Sequence, residues 1–159
     1  MQIPNAIDDL VHGWRSARPD LDFQPMALFA RCNRLVTLAT RELEATLAEH
    51  GLSVGEFDVL SALVRSGEPF VLRPSQLAER LMVTRAGMTS RVDKLEEHGL
   101  VERRRDPSDR RSEPIVLTRA GQDRVDEALA AYLDNQARIF SGLSKAQQRQ
   151  LDSLLRRVL

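Results

Sequence analysis

Residues 74–118 read PSQLAERLMVTRAGMTSRVDKLEEHGLVERRRDPSDRRSEPIVLT, and the rest of the chain is best understood from them. Their pattern predicts a short helix over 74–81, a tight break at 82–84 and a second helix over 85–98. An arginine-rich hairpin with a charged tip follows. Two helices joined by a turn and followed by a β ribbon form a winged helix-turn-helix, whose second helix fits a DNA major groove about 12 Å wide. The stretch therefore predicts DNA binding.

The second helix of this stretch has one apolar and one polar face. Met88, Val92 and Leu95 recur at the spacing of a face that packs on a core. Thr84 can cap the start of the helix, and Gly99 can end it. Small and hydroxyl-bearing residues on the opposite face allow a close approach to base edges. The DNA contacts predicted from this helix are Thr84, Ala86, Gly87, Thr89, Ser90 and Lys94.

The hairpin combines a turn with a run of cations. Residues 106–109, Asp-Pro-Ser-Asp, are typical of a turn. Arginine is attracted to a narrow minor groove, where the potential is most negative. Arg110 and Arg111 at the ribbon tip are therefore predicted to probe a minor groove. The alternative is a charged hairpin that only faces solvent.

The run from 77 to 121 resembles the MarR family of bacterial winged-helix repressors. The resemblance covers the helix pair, an Asp-x-Arg motif formed by Asp109 and Arg111, and a closing Leu-Thr-x-x-Gly at 117–121. It implies that Arg111 enters the minor groove and that Asp109 braces the wing. One departure is Arg73, which stands at a helix N-cap where Ser or Thr is more usual.

The flanking segments carry more apolar surface than a small winged-helix core can cover. Helices are predicted over 3–14 and 25–49, and two more after Thr118 and Ser144. The helix over 25–49 has an apolar stripe of Phe29, Cys32, Val36, Leu43 and Leu47. A two-fold dimer built from the N- and C-terminal helices would cover these faces. It would also place the DNA-reading helices of the two subunits, residues 85–98 and here called the reading helix, about one DNA turn apart. A compact monomeric bundle is the alternative.

The predicted fold class is therefore mainly α with a small antiparallel β wing. Three parts form one continuous structural domain: N-terminal helices over 1–52, a DNA-binding lobe over 53–118 and C-terminal dimerisation helices over 119–159. The short apolar segment 70–72 is predicted to add a third strand at the base of the wing.

An acid inside the lobe requires a partner. The helix that starts at Ser53 is apolar on nearly every side, and Asp58 is embedded in it. Arg91 projects about 60° from the centre of the apolar stripe of the reading helix, at 100° per residue. It is therefore aimed at a buried acid rather than at bases. A purely structural ion pair between Asp58 and Arg91 is the alternative to a ligand site.

The family resemblance implies release of the operator by a small anionic or phenolic ligand. Trp14, Asp58, Arg91 and Arg103 resemble the signature of the urate-responsive branch of the family. An indole can stack on a flat anion, and arginines bind its oxygens in pairs. An effector such as urate, engaging Arg91 and Arg103 and pushing against Asp58, would change the tilt of the reading helix.

Composition limits the other functions. The 159 residues carry 23 basic and 23 acidic side chains, but residues 73–111 carry ten basic against seven acidic ones, which suits binding by two paired surfaces. The absence of a long apolar run and of a signal peptide predicts a soluble, cytoplasmic protein without membrane contact. One cysteine, Cys32, excludes an internal disulfide and leaves redox sensing as an alternative.

No enzyme motif is present. The sequence shows no phosphate-binding glycine loop, no nucleophile elbow and no metal-ligand spacing among its three histidines. A transcription regulator without a cofactor or a metal is therefore predicted. A winged helix that binds protein rather than DNA is the remaining alternative.

Overall fold

The computed structural model describes residues 6–104 and 113–159. Within these residues the chain is mainly helical, with one small antiparallel sheet, which confirms the predicted fold class. The elements are α1 (Ala6–Ala17), α2 (Gln24–Glu49), α3 (Val54–Arg65), β1 (Val71–Leu72), α4 (Pro74–Arg80), α5 (Arg85–Glu97), β2 (Val101–Arg103), β3 (Ile115–Leu117), α6 (Arg119–Ile139) and α7 (Lys145–Val158). The chain divides into two compact units, Met1–Glu42 and Leu43–Leu159.

The first unit is held by a small apolar cluster. Val11 of α1 is buried with Phe23 and Ala27. The indole of Trp14 stacks on the ring of Phe23, with centroids 5.7 Å apart. Because α1 continues to Ala17, it ends three residues beyond the predicted limit.

The second unit contains the main hydrophobic core. Met88, Val92 and Leu95 of α5 are each at most 1% exposed, which confirms the predicted apolar stripe. The α3 helix is also interior, as predicted, and its Leu60 and Leu63 are fully buried. Burial of this stripe fixes the rotation of α5 about its axis, so its opposite face is turned to solvent.

The sheet forms the base of the wing. Its strand order is β1-β3-β2, and both pairings are antiparallel. Val71 pairs with Val116, which confirms the predicted third strand. Arg103 pairs with Ile115, and the Arg104 amide donates to the Pro114 carbonyl at 3.0 Å. The ribbon is thus paired up to the point where its tip begins.

Side-chain caps fix the starts of the helices, as predicted. The Thr84 hydroxyl accepts from the Gly87 amide at 3.1 Å, and the Thr118 hydroxyl accepts from the Gly121 amide at 3.0 Å. Capping boxes at Ser53 and Ser144 begin α3 and α7. At the unusual cap position, the Arg73 amide donates to the Gln76 side chain at 2.8 Å.

The closing Leu-Thr-x-x-Gly motif ties α6 to the end of α5. The Thr118 hydroxyl donates to the Gly99 carbonyl at 2.8 Å. A Cβ atom on Gly121 would lie 2.1 Å from the Leu100 carbonyl oxygen and 2.8 Å from Leu117 Cδ1. Only glycine therefore fits at position 121.

Apolar side chains remain exposed in both units. Phe29 and Val36 of α2 are 69% and 63% exposed, and Leu133 and Leu154 of the C-terminal helices are 53% and 50% exposed. The stripe predicted on α2 is therefore buried only at its C-terminal end, where Leu47 is fully covered. Across the described residues, no helix combines the length and the apolar character that a bilayer crossing requires.

Candidate DNA interface and ligand site

The face of α5 opposite the core is exposed. Thr84, Ala86, Thr89, Ser90 and Lys94 all lie at the surface, and Gly87 is half-exposed. The Thr89 hydroxyl donates to the Arg85 carbonyl at 3.0 Å, which leaves its oxygen free to accept. The N-terminal end of α5 also carries the positive end of the helix dipole, which favours phosphate. The predicted wing residues Asp109, Arg110 and Arg111 lie outside the described residues.

Three exposed side chains beside this face were not among the predicted contacts. Arg80 ends α4 and Arg85 begins α5, and both are exposed. Met82, in the turn between the helices, is 92% exposed and adopts a φ of 52°. Their position next to the break at 82–84 was the available sequence signal, since a break between the two helices of this motif lies near the DNA.

Arg91 leans from α5 onto α3. A Cβ atom on Gly55 would lie 2.6 Å from Nε and 2.8 Å from Cζ of Arg91, so the guanidinium occupies the space that a side chain would fill. Asp58 follows Gly55 by three residues and shares its helix face. Burial raises the pKa of Asp58, and the charges of Arg91 and then Arg65 partly offset this effect. The predicted pairing of Asp58 with Arg91 is thus present as an interaction of charges, although Asp58 is half-buried rather than enclosed.

An open cavity of about 620 Å³ adjoins the same glycine. This volume lies in the range of small-molecule sites, about 300–1,000 Å³. The cavity is formed where α2 ends and α3 begins. It is lined by Glu44, Ala48, Gly51, Leu52, Ser53, Val54 and Gly55.

Arg103 lies on a different flank of α5. Its guanidinium binds the carboxylates of Asp93 and Glu96, and its backbone amide donates to Glu96 Oε1 at 3.1 Å. Burial lowers the pKa of Arg103, but hydrogen bonding and charge from these two acids raise it above its ordinary value. Arg91 and Glu96 are five residues apart and project about 140° from each other.

Of the four predicted ligand residues, the structure therefore brings together Asp58 and Arg91. Arg103 is engaged by the acids on the other flank of α5. Trp14 belongs to the first unit.

The Cys32 thiol, on the stripe that a second subunit was predicted to cover, is exposed in the single chain. The stripe prediction used the spacing of apolar residues, and spacing does not distinguish an inward from an uncovered face. Among the described residues, no group of three His, Cys, Asp or Glu side chains could hold a metal ion.

An exposed helix on a helix-turn-helix core, followed by an antiparallel ribbon, defines the winged-helix class of DNA-binding proteins. The profile of the MarR family matches residues 50–112. The HTH-type transcriptional regulator PecS of Dickeya dadantii is 36% identical over 152 residues, which cover 96% of this chain and 92% of PecS. The chain belongs to the MarR family of winged-helix transcriptional regulators.

Two further proteins agree with this assignment. The transcriptional repressor MprA of Escherichia coli K12 is 27% identical, over 96% of this chain and 86% of MprA. Sco3205 of Streptomyces coelicolor, a MarR family regulator solved in complex with DNA, is 26% identical and has a TM-score of 0.77 over 87% of each chain. The protein is accordingly a DNA-binding transcriptional regulator.

Proposed function

We propose that the protein is a homodimeric repressor that leaves a pseudo-palindromic operator when a small aromatic anion such as urate binds. The observation that carries the ligand part is the position of Arg91: it belongs to α5, but its guanidinium lies on Gly55 of α3, near the half-buried Asp58. An anion bound there acts directly on the helix that reads DNA.

On the DNA side, the proposal assigns base contacts to the exposed face of α5 and minor-groove contacts to Arg110 and Arg111, with Asp109 bracing the wing. Solvent exposure of Thr89 and Ser90 supports the first part. The wing contacts rest on the family resemblance.

On the ligand side, the cavity beside Gly55 offers space, and Arg91 offers paired donors for oxygen atoms. A second negative charge next to Asp58 adds repulsion at a site where burial already disfavours the carboxylate. The ligand can shift α5 only by binding the DNA-free conformer more tightly, and such couplings are typically about 1–3 kcal/mol. Stacking by Trp14 and binding by Arg103 complete the proposal through the resemblance to the urate-responsive branch.

The dimer is supported by the apolar side chains left exposed in each unit. Phe29 and Val36 in the first unit, and Leu133 and Leu154 in the second, belong to the helices that flank the DNA-binding lobe. A large apolar patch on the surface of a soluble protein usually marks a site of interaction with another molecule. A two-fold axis would also match the symmetry of a palindromic operator.

The test uses a duplex that the wild-type protein selects from a random-sequence pool, named here the selected operator. Urate is titrated into the complex while the DNA-bound fraction and the fluorescence of Trp14, the sole tryptophan, are recorded. We expect release from the wild type and from Arg65→Ala, which removes a cation near Asp58 without changing α5. Arg91→Ala should bind DNA but resist release.

Each outcome addresses one part of the proposal. No release of wild-type protein at millimolar urate would contradict the effector. Release of the selected operator from Arg91→Ala at the same urate concentration as from the wild type would contradict Arg91 as part of the ligand site. A monomer in analytical ultracentrifugation would contradict the dimer.

A redox response through Cys32 is a second candidate, favoured by exposure of its thiol. Peroxide should then release the selected operator from the wild type but not from Cys32→Ser. Equal behaviour of the two proteins would exclude this alternative.

A further inference from the structure

Arg103 is held at the point where the wing leaves the body of the protein. It is the last residue of β2, and the strand pairing ends one residue later, at Arg104 and Pro114. A contact at Arg103 therefore acts on the outer end of the described β2–β3 pair, whereas a contact near Val101 would act on a strand already packed in the core.

Glu96 holds this residue by two separate groups. One carboxylate oxygen accepts from the Arg103 backbone amide at 3.1 Å, and the other binds the guanidinium. A bond to the backbone fixes the strand itself, and a bond to the side chain fixes its rotamer. Asp93, one turn earlier on α5, binds the second guanidinium nitrogen at 2.5 Å. The Arg103 side chain is 24% exposed, so water competes only in part for these bonds.

We infer that Glu96 is a positioning residue for DNA reading, because it sets the angle between the wing and α5. The reading helix and the ribbon must reach neighbouring grooves at the same time, so the angle between them decides whether both contacts form. Asp93 has a supporting role as the second anchor of Arg103. This inference rests on DNA binding, and its test contains no effector.

The sign of a mutational effect separates positioning from simple electrostatics. Removing an acid beside a DNA-binding face ordinarily strengthens DNA binding, because it reduces repulsion of phosphate. Removing Glu96 should do the opposite if the carboxylate holds the wing. Glu97, the next residue on α5, is exposed and provides the matched control.

The experiment measures affinity for the selected operator at one fixed salt concentration. We expect Glu96→Ala to weaken binding about tenfold, equivalent to about 1.4 kcal/mol, and Glu97→Ala to leave it unchanged or stronger. Thermal unfolding of both variants, recorded in parallel, should give similar midpoints. An affinity of Glu96→Ala equal to or above that of the control would overturn the inference. It would also be overturned if Glu96→Ala lost affinity only at temperatures at which its unfolding curve shows unfolded protein.

A double-mutant cycle with Arg111→Ala provides a second readout that a merely structural role would not move. If Glu96 acts by placing the wing, then Glu96→Ala should cost little affinity once the wing arginine is removed. Additive effects, including the case in which Arg111→Ala alone costs nothing, would overturn the inference.

Discussion

The guanidinium of Arg91 lies against the backbone of Gly55, where a Cβ atom would be 2.6 Å from Nε. The reading helix and the preceding core helix thus meet through a charged side chain rather than only through apolar packing. The contact requires glycine at position 55, and it holds a cation near Asp58. A substitution at Gly55 can therefore alter this contact without changing any charged residue.

Gly55→Ala should displace Arg91, because the flexible side chain yields more readily than the helix backbone. Since the charge of Arg91 lowers the pKa of Asp58, its displacement should raise that pKa further. Carbon-13 NMR titration of the Asp58 carboxyl group measures this shift. Gly13→Ala, in a helix with open space around the glycine, is the control and should leave the titration unchanged. An unaltered pKa in Gly55→Ala would show that Arg91 does not depend on this space.

Asp58→Asn should increase the free energy of unfolding at neutral pH. Burial raises the pKa of Asp58 above 3.8, so the folded state binds its proton more tightly than the unfolded chain. The stability contributed by that proton is complete below pH 3.8 and is lost as pH rises through the folded pKa. Urea unfolding over a pH series should therefore show the advantage of the variant shrinking as pH falls. Asp126→Asn, an exposed acid on α6, controls for the change in net charge, and a pH-independent difference would contradict the prediction.

Gly121→Ala should destabilise the second unit, because its Cβ atom would lie 2.1 Å from a backbone oxygen that cannot rotate away. Overpacking of this kind typically costs about 1–3 kcal/mol, and each kcal/mol lowers the melting temperature of a chain this size by about 2–4 °C. Differential scanning calorimetry measures the change. Gly142→Ala, where nothing lies within 4 Å, should melt close to the wild type. Equal melting of the two variants would refute the tight packing.

Met82→Gly should stabilise the protein. A left-handed backbone costs a residue with a side chain roughly 1–2 kcal/mol, and glycine avoids this cost. Since Met82 is 92% exposed, the change removes few contacts. Glycine also has a greater conformational entropy in the unfolded chain, which offsets part of this benefit. Chemical denaturation should therefore show a free energy of unfolding about 0.5–1 kcal/mol higher than that of the wild type. Met82→Ala keeps the strain and should not gain, and a loss of stability in the glycine variant would contradict this account.

Local signals in the sequence were sufficient for much of the fold. Thr84 and Gly99 mark the two ends of α5, and the spacing of Met88, Val92 and Leu95 gives its buried side. The inward lean of Arg91 also follows from spacing, because rotation about a helix axis is a local property.

Contacts between elements could not be read in the same way. Nothing in the sequence around Arg103 indicates that Asp93 and Glu96 bind it, since that contact depends on how β2 returns beside α5. Periodicity also placed Cys32 on an apolar face of α2, but it could not tell which element covers that face. The wing contacts, the effector and the dimer stay predictions.

The pairing of Arg103 with Asp93 and Glu96 also affects how regulatory mutants should be interpreted. Loss of the arginine would leave the carboxylates of Asp93 and Glu96 unbalanced beside the proposed DNA-binding face of α5. Arg103 substitutions should therefore weaken operator binding even when no small molecule is present. A regulatory defect at this position would then combine a misplaced ribbon with added repulsion of phosphate, and it would not by itself be evidence about ligand recognition.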